Sequence, residues 1–423
     1  MTPLTHNTRS VFSMSGFAVL EHRIARRVKN ASISAIKEMT VLAQEYADVI
    51  SLAQGTPSFQ LPENIKERLH KELDTNPKLN KYCTPFTGLV ELKTELAKKI
   101  KKTRGIDIDP KKEIYITVGA MEGVATAILT VTDPGDEVIL LSPCFPSHIV
   151  QITLAAGVPI HVPLNEENGW RLNIEELRAR ITSKTKAIIL SSPNNPTGTV
   201  FTESDVRAIA ELAQLHDFWI ITDEPYDFLL YDNKQLFTAL HMEELKDRLI
   251  AVFSFSKEYA MSGFRLGYVY SSEGAINQML KIHDAFSVTA STISQYAAIE
   301  ALQGSQNSVL FFREEYSKRR NLVCKRLDRL GSLFKYHKPQ GAYYIFPKIL
   351  IDIDDYEFAL QILKETHVAV VPGSAFGPAG KGHIRICFSM TEDEINKAFD
   401  RLDRWWEDKL KSQNTKLKIT AQS

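Results

Sequence analysis

Lys257 and Arg265 stand where a solvated surface does not explain them. In Ser254-Phe255-Ser256-Lys257-Glu258-Tyr259-Ala260-Met261-Ser262-Gly263-Phe264-Arg265-Leu266-Gly267-Tyr268, the lysine follows an apolar run and the arginine lies among Gly, Phe and Leu. A lysine so placed can form a Schiff base, and an arginine is the preferred fork for a phosphate or a carboxylate. Upstream, Trp219–Thr222 runs into Asp223-Glu224-Pro225-Tyr226. An acid at the end of a buried strand calls for a buried partner, unless it caps the next helix. Lys186–Ser191 leads into Ser192-Pro193-Asn194-Asn195-Pro196-Thr197-Gly198. Two prolines around paired asparagines make a rigid loop that either holds an amide in space or only turns the chain. Glu113–Thr117 ends in Val118-Gly119-Ala120-Met121. Small residues before a helix leave N–H groups facing out from its positive end, a ready phosphate site, although many such turns hold Gly for steric reasons alone. Last, Arg385 interrupts the apolar strand Ile384–Phe388 with no acid beside it. It reads as a grip for an anionic ligand or as half of a structural salt bridge.

These residues need a frame. Glu113–Thr117, Glu137–Leu141, Lys186–Ser191, Trp219–Thr222 and Ile250–Ser254 are short, apolar and bounded by turn residues, as buried strands are. Between the third and fourth lies a helix opened by Thr202-x-x-Asp205, with Val206, Ile209, Leu212 and Ala213 facing inward. Strand, helix, strand repeated in this way predicts an α/β domain with a largely parallel sheet flanked by helices. After about residue 300 the character changes. A charged helix over Phe311–Leu330 precedes strands at Gly341–Pro347 and His383–Phe388. A last helix opens at Thr391 with Glu394 and buries Ile395, Phe399, Leu402 and Trp406. The reading is an N-terminal arm over 1–30, a large domain over 65–300, a smaller α+β domain from 31–64 plus 301–412, and a loose polar tail over 413–423. Ligands of open α/β sheets bind beyond the carboxyl ends of the strands, where the loops above converge.

Composition narrows the class. A chain of 423 residues exceeds one compact core. Lys+Arg and Asp+Glu are both 51, so the net charge of zero removes the electrostatic case for a nucleic-acid binder. No apolar run approaches the roughly 20 residues of a membrane helix. The four cysteines, Cys83, Cys144, Cys324 and Cys387, are scattered, which argues against a disulfide framework or a metal site and for reduced thiols in a cytoplasmic protein. Met1–Leu20 has no acid and a single arginine, Arg9, a pattern shared by an ordered arm and, faintly, by a cleaved targeting segment.

In order along the chain, Gly119-Ala120-Met121, Asn195-Pro196-Thr197-Gly198, Asp223-Glu224-Pro225-Tyr226, Ser256-Lys257 with Arg265, and Arg385 resemble the motifs of the class I/II, fold-type-I pyridoxal-phosphate aminotransferases. The likeness runs from about Ser51 to Phe388. It implies pyridoxal 5′-phosphate as cofactor, with Lys257 forming the imine and moving the proton between substrate and cofactor. Asp223 would pair with the pyridine nitrogen, Asn195 and Tyr226 with the phenolic oxygen, and Phe145 would stack on the ring. The phosphate would rest on the N–H groups of Ala120 and Met121, closed by Arg265 and by Ser254 or Ser256. Arg385 would grip the α-carboxylate with help from Asn195 and the loop at Gly55. Tyr82 resembles the tyrosine lent to the neighbouring subunit's phosphate, which implies a homodimer with shared active sites. The substrates implied are an L-amino acid and a 2-oxo acid such as 2-oxoglutarate or pyruvate, in a ping-pong cycle through pyridoxamine phosphate.

The donor stays open between aspartate-type and aromatic or apolar amino acids. Ser34-Ala35-Ile36 resembles the segment bordering the side-chain pocket, and its isoleucine points to the less polar class. Arg23, Arg26 and Arg27 are candidates for a distal carboxylate, or an exposed basic helix face. On the same fold a carbon–sulfur β-lyase would use nearly the same cofactor residues. An aminotransferase-like sensor domain is a further alternative.

Overall fold

The computed structural model describes residues 23–420, with side chains through 412. Its main sheet has seven strands. They are β1 (Ile114–Thr117), β2 (Glu137–Ser142), β3 (Val158–Pro163), β4 (Thr185–Ser191), β5 (Trp219–Asp223), β6 (Leu249–Ser254) and β7 (Gly267–Ser271). Their spatial order is β1-β7-β6-β5-β4-β2-β3. All neighbours are parallel except β7, which runs antiparallel to both β1 and β6. The five strands expected from the sequence all form, within two residues of their expected ends.

The two unexpected strands have local reasons. β3 carries Pro159 and Pro163, which an interior strand would not accept, and it lies at the sheet's edge. β7 follows the Gly-Phe-Arg motif directly, so no turn cluster sets it apart.

The capping box at Thr202 forms in full: Thr202 N–H donates to Asp205 Oδ2 at 2.8 Å and Asp205 N–H to Thr202 Oγ1 at 3.4 Å. It starts the helix Glu203–His216. Val206, Ile209, Leu212 and Ala213 are buried on its inner face.

Beyond the large sheet, Ile384–Cys387 pairs antiparallel with Tyr344–Ile345 on one side and Val371–Pro372 on the other. Only those two residues of Gly341–Pro347 pair as a strand, because Ala342 takes a left-handed φ of 56° and breaks the extended run. Ile50–Ser51 pairs parallel with Val368–Ala369, which ties the N-terminal segment to this part of the chain. The charged helix spans Asn307–Arg329, and the last helix spans Glu392–Thr420 with Ile395, Phe399, Leu402 and Trp406 buried. Residues 413–420, read above as loose tail, therefore continue that helix. No Gly or Pro stands among residues 413–420 to stop the run.

Of the arm, residues 1–22 lie outside the described ones, and Arg26–Lys29 forms a single helical turn. All four cysteines are buried and free. No helix among the described residues is long and apolar enough to cross a membrane.

Candidate active site

A cavity of about 260 Å³ opens at the carboxyl ends of β4, β5 and β6. Gly55, Ala120, Met121, Phe145, Asn195, Asp223, Tyr226, Ser254, Lys257, Arg265 and Arg385 all line it. Tyr82 does not. It is 71% exposed and borders a separate cleft with Phe86 and Thr292. Arg23, Arg26 and Arg27 are exposed and are not among the residues that line the cavity.

One end of the cavity is built from backbone. The helix Gly119–Val131 begins without a side-chain cap, so its first N–H groups are left for a ligand. Glu122 in that first turn bonds backward instead, accepting from Val118 N–H at 2.5 Å and meeting His283 Nδ1 at 2.6 Å. Gly119 has a φ of 73°, and a Cβ on it would fall 2.7 Å from Arg265 Nη2. Likewise, a Cβ on Gly267 would sit 2.7 Å from Ala120 N and 2.6 Å from the Phe253 carbonyl. The two glycines thus let an arginine and a helix start approach each other closely. The Arg265 side chain donates only to the Ser262 carbonyl, at 2.8 Å, and faces no carboxylate among the described residues. Ser254 and Ser256 both reach the cavity, with Ser254 Oγ accepting the Ser256 N–H at 3.1 Å.

The middle holds an acid and an amine. Asp223 ends β5, and its Oδ2 lies 3.0 Å from His148 Nε2. A carboxylate accepts only, so Nε2 carries the hydrogen. Asp223 Oδ1 is buried without a hydrogen-bond partner among the described residues. A buried unpaired carboxylate oxygen in a cavity wall is an acceptor awaiting a donor.

Lys257 Nζ donates to the Gly55 carbonyl at 2.5 Å. Burial, with Arg385 and Arg265 acting in the same direction, lowers this amine from 10.5 to about 8. Phe145 meets His148 edge-on at 5.5 Å between ring centres. The Tyr226 hydroxyl lies 2.7 Å from that of Tyr344, and burial raises its pKa well above the phenol range, which keeps it protonated.

The far end is formed by Arg385, 1% exposed. Its Nη1 donates to Asn195 Oδ1 at 3.2 Å and its Nη2 to the Ala53 carbonyl, so the described bonds include no carboxylate. The guanidinium lies over the Tyr344 ring at 4.5 Å. A Cβ at Gly55 would meet the Tyr344 hydroxyl at 2.0 Å, so any larger residue there has to displace the Tyr344 ring.

Among the lining residues that the sequence does not single out are Val124, Ser147, His148, Tyr344 and Lys37. His148 falls three positions after Phe145 on the helix Pro146–Leu154, a spacing that places both on one face. Tyr344 sits in the strand beside that of Arg385, in an aromatic run that reads as core. Lys37 follows Ile36 on the helix Ala35–Ala43 and reaches the rim.

An α/β enzyme with an anion cradle, a buried amine and an unpaired acid in one cavity is the class that fold and site define. The comparisons give the family. The sequence profile described as "Aminotransferase class I and II" matches residues 47–402. The chain is 40% identical to an aspartate aminotransferase of Pyrococcus abyssi over 374 residues, 88% of this chain and 95% of that one. It is 38% identical to aromatic-amino-acid aminotransferase 2 of Thermococcus litoralis, over 90% of this chain and 97% of the other. The solved aromatic aminotransferase of Pyrococcus horikoshii superposes with a TM-score of 0.82 at 38% identity, covering 88% and 99% of the two chains. This chain belongs to the class I and II aminotransferases. It is a transaminase of the fold-type-I group, acting on amino acids and 2-oxo acids.

Proposed function

We propose that this transaminase uses pyridoxal 5′-phosphate and works as a cytoplasmic homodimer with shared active sites. The observation that carries the reading is the free Oδ1 of Asp223 in one cavity with Lys257 and the anion cradle. The residues fit the group: an acceptor for a ring N–H, an amine for an aldehyde, and helix N–H groups beside an arginine that faces no carboxylate among the described residues, for a phosphate. When bound, the cofactor supplies an electron sink that lets the substrate Cα–H bond ionise.

This chain's residues do the rest. Ala120 and Met121 N–H, Arg265, and Ser254 or Ser256 hold the phosphate, each charge-assisted bond contributing about 1.5–3 kcal/mol. Asp223, whose Oδ2 is held by His148, would accept the ring N–H through its other oxygen. Asn195 and the protonated Tyr226 would donate to the ring oxygen, and Phe145 would pack on the ring. Arg385 grips the substrate α-carboxylate, with Asn195 and the Gly55 loop beside it. Lys257 would be the residue that holds the cofactor's aldehyde carbon and the base that moves a proton at the substrate Cα, a role that needs the neutral amine. Its lowered pKa makes that form accessible near neutral pH. Tyr82, exposed in one subunit, would complete the phosphate site of the partner.

For the donor, two features of the wall point in different directions. Ile36, Val124, Met121 and Phe145 make it apolar, as an aromatic or apolar side chain requires. Lys37 adds a cation at the rim that an aspartate-type side chain would use. Both classes occur among the named relatives. The deciding experiment is the visible spectrum of the purified protein against single amino acids without acceptor. A band that bleaches with certain donors and returns with 2-oxoglutarate or pyruvate supports the reading and names the donor class. A band that persists while pyruvate and ammonia accumulate indicates a β-lyase instead. A protein that shows no band after cofactor is added sinks the cofactor assignment.

A further inference from the structure

Asp223 and Lys257 are each followed directly by a glutamate, and both glutamates are buried. Neither Glu224 nor Glu258 lines the cavity. Glu224 follows the last residue of β5 and so faces the other way from Asp223, while Glu258 shares a turn with Lys257; both carboxylates lie outside the cavity that their neighbours line. Both meet one helix, Val90–Arg104, and Glu224 also accepts from Thr222 Oγ1 at 2.9 Å through Oε1. Arg104 Nη2 lies 2.8 Å from Glu224 Oε2 and 2.9 Å from Asp227 Oδ2. Its Nη1 donates to Thr238 Oγ1 at 3.1 Å. One and a half turns earlier on the same helix, Lys99 Nζ pairs with Glu258 Oε2 and lies 5.2 Å from the centre of the Tyr259 ring.

Such pairs contribute little net stability. Desolvating two charges roughly cancels their attraction, and well-packed apolar residues would often do as well. What a buried pair does supply is direction, because turning either partner away leaves an unpaired charge in a poor solvent. Here the direction is transmitted across one peptide unit to the residue on the other side. A loop rotation that misaims Asp223 would pull Glu224 from Arg104, and one that misaims Lys257 would pull Glu258 from Lys99.

We infer that Lys99 and Arg104 are positioning residues, one helix clamping from behind the two loops that present Lys257 and Asp223. The inference rests on the cofactor reading of those two residues. Cofactor affinity and the visible band test it independently of turnover. The variants are Lys99→Met and Arg104→Met, with Lys99→Arg as the conservative control, each compared with wild type. The measurements are cofactor affinity of the cofactor-free protein, the pH midpoint of the visible band, kcat, KM and melting temperature.

With Lys99→Met the band midpoint moves by about half a pH unit or more. kcat falls about tenfold or more, as expected for a displaced reacting group, while KM for the amino acid stays within about threefold. Lys99→Arg recovers midpoint and kcat. With Arg104→Met the main loss is cofactor affinity, about tenfold, because the ring-nitrogen acceptor is misaimed. A lowered melting temperature with wild-type midpoint, affinity and kcat makes the pairs structural only and overturns the inference. So does a Lys99→Arg variant that behaves like Lys99→Met. Should the methionine variants fail to fold, Glu258→Gln and Glu224→Gln keep the side-chain shape and are read by the same criteria. A wild-type protein without the band removes the cofactor reading and this role together. A normal wild-type band with unaltered variants removes this role alone.

Discussion

Asp223, Ser254 and Lys257 reach the cavity from the ends of adjacent parallel strands, whereas Arg385, Gly55 and Ile36 reach it from short pieces of chain far apart in sequence. The first group inherits its spacing from a continuous hydrogen-bonded ladder: Ser191 pairs with Asp223, and Asp223 with Val252. In the second group, Arg385 lies in a four-residue strand between two-residue partners. Gly55 follows the two-residue strand Ile50–Ser51, and Ile36 lies on a nine-residue helix. Individual contacts therefore replace the ladder: Arg385 to Asn195 and Ala53, Lys257 to the Gly55 carbonyl, Tyr344 against Gly55. The sheet-end group is suited to holding a group that stays, and the second to gripping one that comes and goes.

The sharpest way to break this contrast is Lys257→Ala. Its expected result is loss of the visible band and of turnover by about 10⁴-fold, with the fold retained by circular dichroism. Because burial lowers the Lys257 amine to about 8 from 10.5, the unfolded chain keeps a proton that the cofactor-free fold rejects between those values. The Lys257 contribution to stability of the cofactor-free protein therefore rises from pH 8 toward 10.5 and is flat outside that window. Melting curves of the Lys257→Ala protein should lack that rise.

Arg385→Lys comes next. A lysine keeps the charge and loses the fork, so KM for the amino acid rises about 30–100-fold while the cofactor band is unchanged. A band lost together with substrate binding would show that the two groups of residues are not separable. Gly119→Ala reaches the anion cradle instead. A Cβ at a φ of 73° and 2.7 Å from Arg265 strains the turn and displaces the arginine. Cofactor affinity should fall about tenfold, measured by titration of the cofactor-free protein. The smallest effect belongs to Tyr82→Phe. Its hydroxyl is exposed in the subunit, so the melting temperature stays put while cofactor affinity drops about three- to tenfold. An unchanged affinity would remove Tyr82 from the shared site.

Much of the sheet end of the cavity was legible because each motif is contiguous with the strand that aims it. A buried apolar run followed by Asp223, by Asn195 or by Lys257 states both the residue and its position at a strand's end. Arg385 was legible for another reason, being a charge that an apolar strand does not tolerate without a ligand or partner. His148 was not legible, because its role appears only against Asp223, 75 residues away. Nor was Tyr344, since an aromatic in an apolar strand reads as core until Arg385 is seen above it. The strand β3 was hidden by prolines that only an edge position permits. That the last helix runs on to Thr420 is not legible in the polar composition of its end.

The order of strands and helices, the turn residues and the chemical types at each strand end follow from neighbours in the chain, since alternation, capping and turn preference act over a few residues. Which oxygen of Asp223 stays free, what Arg385 grasps, and which cations stand behind Glu224 and Glu258 are distances between segments brought together by packing. Asn195 and Arg385 are 190 positions apart, and Lys99 and Glu258 are 159. No local preference encodes such a separation; close-packed side chains in a single folded arrangement set it.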